Sequence, residues 1–202
     1  MTNNLSLFLS VWIKFTFVFT PFFALSMFLS MTEGYSESHR RKLALTVSGA
    51  VAVICLLLLF AGNQLFSLFG ITLNSFRIGA GALLFLSAVA LVQGSATAVG
   101  SNREGDIAVV PLAIPIIVGP ATTGTLLVLG AELDGLAAKS LGSVALILAV
   151  ACLCIVLLLG SLIQRAIGHR GIGILSKLTG LILAALAAQM IMTGIQGFMS
   201  AN

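Results

Sequence analysis

Charge is what this sequence has least of. Of its 202 residues only 8% are charged, where a soluble domain carries about 25% to cover its surface. A soluble globular domain is thereby excluded. Only six residues are acidic, and none falls inside a long apolar run, which leaves out the carboxylate proton relay that many intramembrane pumps use. The two histidines, His39 and His169, sit between the runs. With no acid, histidine or ligand cluster in any span, an intramembrane enzyme has no catalytic set, and neither a metal nor another cofactor is expected.

Cysteine is scarce as well. Cys55, Cys152 and Cys154 all lie in apolar stretches. Two residues two apart on a helix point to nearly opposite faces, so "CLC" cannot close round one ion. They read as small packing residues with no disulfide framework.

What is present is hydrocarbon: 59% hydrophobic residues and a mean hydropathy of +1.16. Crossing a ~30 Å apolar layer takes roughly 20 residues of helix. Six such runs occur, near 8–31, 43–62, 73–94, 107–130, 140–164 and 174–199. The expected fold is an all-α integral membrane protein, residues 1–202 forming one transmembrane domain with the lipid bilayer as its partner. The first run is read as a mature helix, because no Lys or Arg precedes it and it is too long for a signal-peptide core.

The formal charge of +4 does not point to nucleic acid, since the basic residues sit in connections and not along one helical face. They report topology. Arg40, Arg41, Lys42, Arg103, Arg165 and Arg170 fall on one side, and Lys139 with Arg77 on the other, so the positive-inside rule places both termini outside the cytoplasm.

Proline exposes an internal pattern. Pro21 and Pro120 stand equally deep in the first and fourth runs, at an offset of 99 residues that also relates Cys55 to Cys154 and Gly81 to Gly180. Three spans per half make the second half enter from the opposite side, so the expectation is a 3+3 inverted repeat, about 8–94 and about 107–199, an arrangement common in secondary transporters.

Proline removes a backbone donor and displaces the residue before it from helical geometry. Helices 1 and 4 are therefore expected to break near the midplane. A broken backbone cannot face lipid, and proline suits the first position of a new helix, whose free N–H groups attract a carboxylate. The candidate substrate site is thus Thr20, Pro21, Phe22 and Phe23 with Gly119, Pro120, Ala121, Thr122 and Thr123. Gln93 and Gln189 are candidate supporting polar groups. Lys14 is expected to snorkel to the outer interface. Arg77 reads either as an interfacial anchor or as a charge on the solute path. Gly79 with Gly81, and Ala184 with Ala188, are expected to form close helix contacts.

The segments "SMFLSMT" at 26–32, "FGITLNSFRIGAGALLFL" at 69–86, "VVPLAIPIIVGPAT" at 109–122 and "GLILAALAAQMIMTGI" at 180–195 together resemble the MarC family of bacterial and archaeal inner-membrane proteins. The resemblance covers nearly the whole chain. It implies six helices as an inverted repeat, broken first and fourth helices, kinship with the lysine exporter superfamily, and transport of small neutral amino acids such as glycine and alanine. Where the family reads Asn-Pro-x-Gly, this chain has Thr20-Pro21-Phe22-Phe23, and the usual Gly-Pro-Gly is Gly119-Pro120-Ala121. The expected function is a secondary transporter of such solutes by alternating access, in the bacterial inner membrane. A non-transporting scaffold that assembles with a partner is the alternative, favoured by the bulk of Phe22 and Phe23. A second copy of the chain is a candidate partner in either case.

Overall fold

The computed structural model describes residues 2–94, 117–133 and 135–200. Every regular element among them is a helix: α1 Thr2–Val18, α2 Pro21–Met31, α3 Glu37–Phe69, α4 Leu73–Gln93, α5 Pro120–Glu132, α6 Gly135–Leu158 and α7 Gly160–Met199. Five candidate membrane spans result, over Leu5–Met31, Glu37–Gly62, Leu73–Gln93, Gly135–Leu158 and Gly160–Met199. The first part of the sequence-derived fourth run, 107–116, lies outside the described residues, and the 13 residues of α5 are too short to cross alone.

Local chemistry sets the helix ends. Ser36 accepts a hydrogen bond from the His39 N–H at 3.3 Å to cap α3, and Thr72 accepts from the Ser75 N–H at 3.2 Å to cap α4, each satisfying a donor with no helical partner. Both helices stop at a left-handed glycine, Gly70 (φ 62°) and Gly94 (φ 75°), where a side chain would be strained. At the base of α2, the Arg40 guanidinium donates to the Thr32 carbonyl at 3.1 Å.

Between α1 and α2 stands Thr20 (φ 46°, ψ 59°), the only non-glycine with positive φ among the described residues. Its N–H bonds the Phe17 carbonyl at 2.9 Å, and the Ala24 N–H bonds back to the Thr20 carbonyl at 2.9 Å. The helical ladder is thus re-laid one turn after Pro21.

The core runs through the middle of the bundle, where Phe15, Phe19, Leu25, Phe28, Leu59, Leu126, Leu153 and Ile172 are all but inaccessible. Large apolar side chains such as Leu57, Leu86, Leu162 and Leu181 lie on the outside, as expected of a surface that meets lipid tails. Several intramembrane hydroxyls bond the carbonyl of the preceding turn, as Thr125 does to Ala121 and Ser176 to Ile172, which removes the cost of an unpaired donor in lipid.

The most extensive helix pair is α4 with α7. A Cβ on Gly81 would stand 3.1 Å from the Ala187 carbonyl oxygen and 2.7 Å from the Ile191 side chain, and one on Gly180 would stand 3.0 Å from the Ala88 carbonyl oxygen and 2.9 Å from Val92. Backbones approach here at a distance only glycine allows. The expectations for the neighbouring small residues fare differently: a Cβ on Gly79 would meet nothing within 4 Å, and Ala188 is exposed while Ala187 faces α4. Helix periodicity admits either neighbour, and packing selects Gly81 and Ala187.

Two boundaries also differ from the hydropathy runs. Residues 165–173, expected as a polar connection, are helical apart from Gly168 (φ 69°, ψ 172°), where α7 turns. The third helix continues seven residues past position 62 to Phe69. Hydropathy marks where lipid begins, and a helix continues beyond it until a residue such as Gly70 ends it.

Candidate functional site

The start of α2 and the start of α5 line one shared, partly open cavity. A cavity of about 180 Å³ is lined by Thr20 and Phe23 on one side and by Gly119, Pro120, Ala121 and Thr122 on the other. Val18, Leu84, Leu91, Ile117 and Leu183 supply apolar walls, and Ser87 a hydroxyl. Six of the nine residues picked from the sequence are thus brought together. Pro21 is buried, Phe22 packs against the hydrophobic core, and neither they nor Thr123 line this cavity.

Both helix starts leave backbone donors over. In α2 the first backbone bond is Ala24 N–H to Thr20, so the Phe22 and Phe23 N–H groups have no carbonyl partner among the described residues. In α5 the Thr123 N–H bonds the Gly119 carbonyl at 2.9 Å, leaving the Ala121 and Thr122 N–H groups in the same position. The positive ends of two helix dipoles therefore converge on one small apolar chamber.

The hydroxyls behave less uniformly than the sequence suggests. Thr122 donates its hydroxyl proton to the Ile117 carbonyl at 2.9 Å, so it braces the entry to α5 and is not a free donor toward the cavity. The Thr20 hydroxyl has no partner among the described residues. Gln93 is exposed at the end of α4 and lines neither this cavity nor the next.

A larger cavity of about 480 Å³ adjoins the first, with Val18 and Leu84 lining both. It holds Lys14 from α1, Arg77 from α4, Thr125 and Glu132 from α5, and Gln189 and Thr193 from α7. Arg77 donates from Nη2 and Nε to the same Glu132 oxygen, Oε1, at 2.8 and 3.1 Å, and from Nη1 to the Asn74 side chain at 3.0 Å. Lys14 is half-buried on this cavity, where the sequence alone suggests only a stem reaching for the interface. Glu132 was not among the residues picked, since it lies just past the fourth run. Its link to Arg77 spans 55 positions, and no local spacing announces it.

The comparisons with known proteins agree with one another. Residues 5–199 match the model of the family described as "MarC family integral membrane protein". The chain is 31% identical to a UPF0056 membrane protein of Aquifex aeolicus, covering 96% of this chain and 94% of that one. It is 35% identical to a UPF0056 membrane protein of Methanocaldococcus jannaschii, over 89% and 91%, and 29% identical to a UPF0056 inner membrane protein of Escherichia coli K12, over 90% and 92%. No solved structure matches.

Proposed function

This chain belongs to the MarC family of integral membrane proteins, and from that premise we propose that it is a secondary transporter of small neutral amino acids working by alternating access. The observation that carries the reading is the shared cavity between the α1–α2 junction and the start of α5. Its volume of about 180 Å³ is below the ~300–1,000 Å³ of sites for larger ligands and suits a solute of a few heavy atoms. The N–H groups left without a partner among the described residues at the two helix starts would take the carboxylate.

We further infer that the two halves are an inverted repeat with helices 1 and 4 broken at Pro21 and Pro120. Support comes from reciprocal contacts. Gly81 meets Ala187 and Ile191, while Gly180 meets Ala88 and Val92. An offset of 99 carries each pair onto the other, and the same offset separates the two prolines. It also relates cavity-lining residues in pairs: Val18 to Ile117, Thr20 to Gly119, Phe23 to Thr122 and Leu84 to Leu183. A cavity on a pseudo-two-fold axis is where the rocking of one repeat against the other would expose a solute to each side in turn. With Arg40 to Lys42 on the cytoplasmic side, as the positive-inside rule would have it, the larger cavity would open outward, in the inner membrane of a bacterium as the Escherichia coli relative's description suggests.

Counterflow in proteoliposomes tests the reading: internal unlabelled alanine should drive uptake of labelled glycine, alanine, serine or threonine. The scaffold reading rests on Phe23, which occupies part of the cavity where the family carries glycine. It is supported if no small zwitterion exchanges.

A further inference from the structure

We propose that the larger cavity is a separate docking site for small carboxylate-bearing solutes, with Lys14 as the residue that pairs with the carboxylate. The proposal goes beyond the central cavity and does not require transport. Three ionisable side chains line the space, Lys14, Arg77 and Glu132. Arg77 and Glu132 neutralise each other at 2.8 Å. Lys14 has no carboxylate partner among the described residues, so among those residues the cavity lining carries one positive charge more than negative.

Such a charge in an apolar span is costly and is retained where it serves a path or a partner. The fold itself does not require it. At the offset of 99 the counterparts of Lys14, Arg77 and Glu132 are Ala113, Ser176 and Glu33, with Lys177 next to the counterpart of Arg77, so Lys14 is the cation without a basic counterpart in the other half. Its field would draw in an anion before it meets the helix starts beyond Val18 and Leu84. The volume of about 480 Å³ lies within the range of small-molecule sites.

The remaining polar groups narrow the occupant. Both bonds from Arg77 to Glu132 fall on Oε1, leaving Oε2 without a hydrogen-bond partner among the described residues. A carboxylate on Lys14 and an ammonium on Glu132 describe a small zwitterion. Gln189, which lines the same space, supplies a neutral hydrogen-bonding end.

The test uses the full chain in nanodiscs of phosphatidylcholine, titrated with labelled alanine, propionate (carboxylate without ammonium) and ethylamine (ammonium without carboxylate). Alanine and propionate should bind and ethylamine should not. Lys14→Met and Lys14→Gln should weaken both carboxylates about tenfold or more, the ratio expected for losing one charge-assisted contact, and Lys14→Arg should largely restore them. Equal binding by the Lys14→Met protein, preference for ethylamine, or no carboxylate binding by the wild type overturns the proposal. So does retention of phosphatidylglycerol that depends on Lys14 while propionate fails to compete, which would assign the site to a lipid phosphate. Lys14-dependent binding without counterflow would uphold this site and remove the transport reading, and counterflow together with carboxylate binding that is unchanged in Lys14→Met would do the reverse.

Discussion

Arg77 at the first turn of α4 and Glu132 at the last turn of α5 are joined through a single carboxylate oxygen, Oε1, at 2.8 and 3.1 Å. The pair fixes the far end of the helix whose other end opens at Pro120. Partial burial, with side chains 17% and 33% exposed, keeps it from full solvent screening. Removing one partner leaves the other unpaired in a mostly apolar wall, so Glu132→Gln should cost about 1–3 kcal/mol. Thermal unfolding in detergent of the two single variants and the Arg77→Gln/Glu132→Gln double variant should return a coupling of about 0.5–3 kcal/mol; additive losses would show that the pair is not an interaction of consequence.

The α4–α7 contact is reciprocal, and its two glycines should therefore be equally intolerant. Gly81→Val and Gly180→Val each push a side chain into backbone carbonyls 3.1 and 3.0 Å from the first added carbon, so each should lose about 1–3 kcal/mol to overpacking. Gly79→Val, which meets open space, controls for the helix propensity of valine. Unfolding midpoints that fall equally for all three would contradict the contact.

Thr20 carries backbone strain that another residue would carry more easily. A β-branched residue in the left-handed region costs roughly 1–2 kcal/mol, and asparagine tolerates that region better. Thr20→Asn should raise thermal stability by about 0.5–1 kcal/mol and preserve a polar group on the cavity.

Phe23 sets the volume of the small cavity. Phe23→Gly should enlarge it and admit neutral amino acids longer than alanine, read as a rise in their exchange relative to glycine. Loss of all exchange, or no change in selectivity, would show that the ring does not bound the solute.

Much of this was legible in the residues. Hydrophobic runs gave five of the spans because a helix in lipid must be apolar along its length, and the matched depth of Pro21 and Pro120 pointed to a cavity whose lining holds Thr20 and Gly119. Contacts between distant positions were not legible. Glu132 meets Arg77 across 55 residues, and Leu84 and Leu183 reach the cavity through helix rotation that no sequence pattern fixes. Thr122 looked like a free donor because its carbonyl partner, Ile117, becomes available only once the chain turns into α5. Lys14 looked peripheral because its neighbours on the cavity come from three other helices.

Counterflow of labelled alanine into proteoliposomes loaded with unlabelled alanine, compared between the wild type and Gly119→Leu, tests the central claim most directly. Leucine at 119 fills the space between the two helix starts without touching Lys14, Arg77 or Glu132. The account predicts trans-stimulated uptake by the wild type, its near loss in Gly119→Leu, and its survival in Gly79→Leu. Uptake that is absent from the wild type for glycine, alanine, serine and threonine alike, or unchanged by the plug, would contradict it.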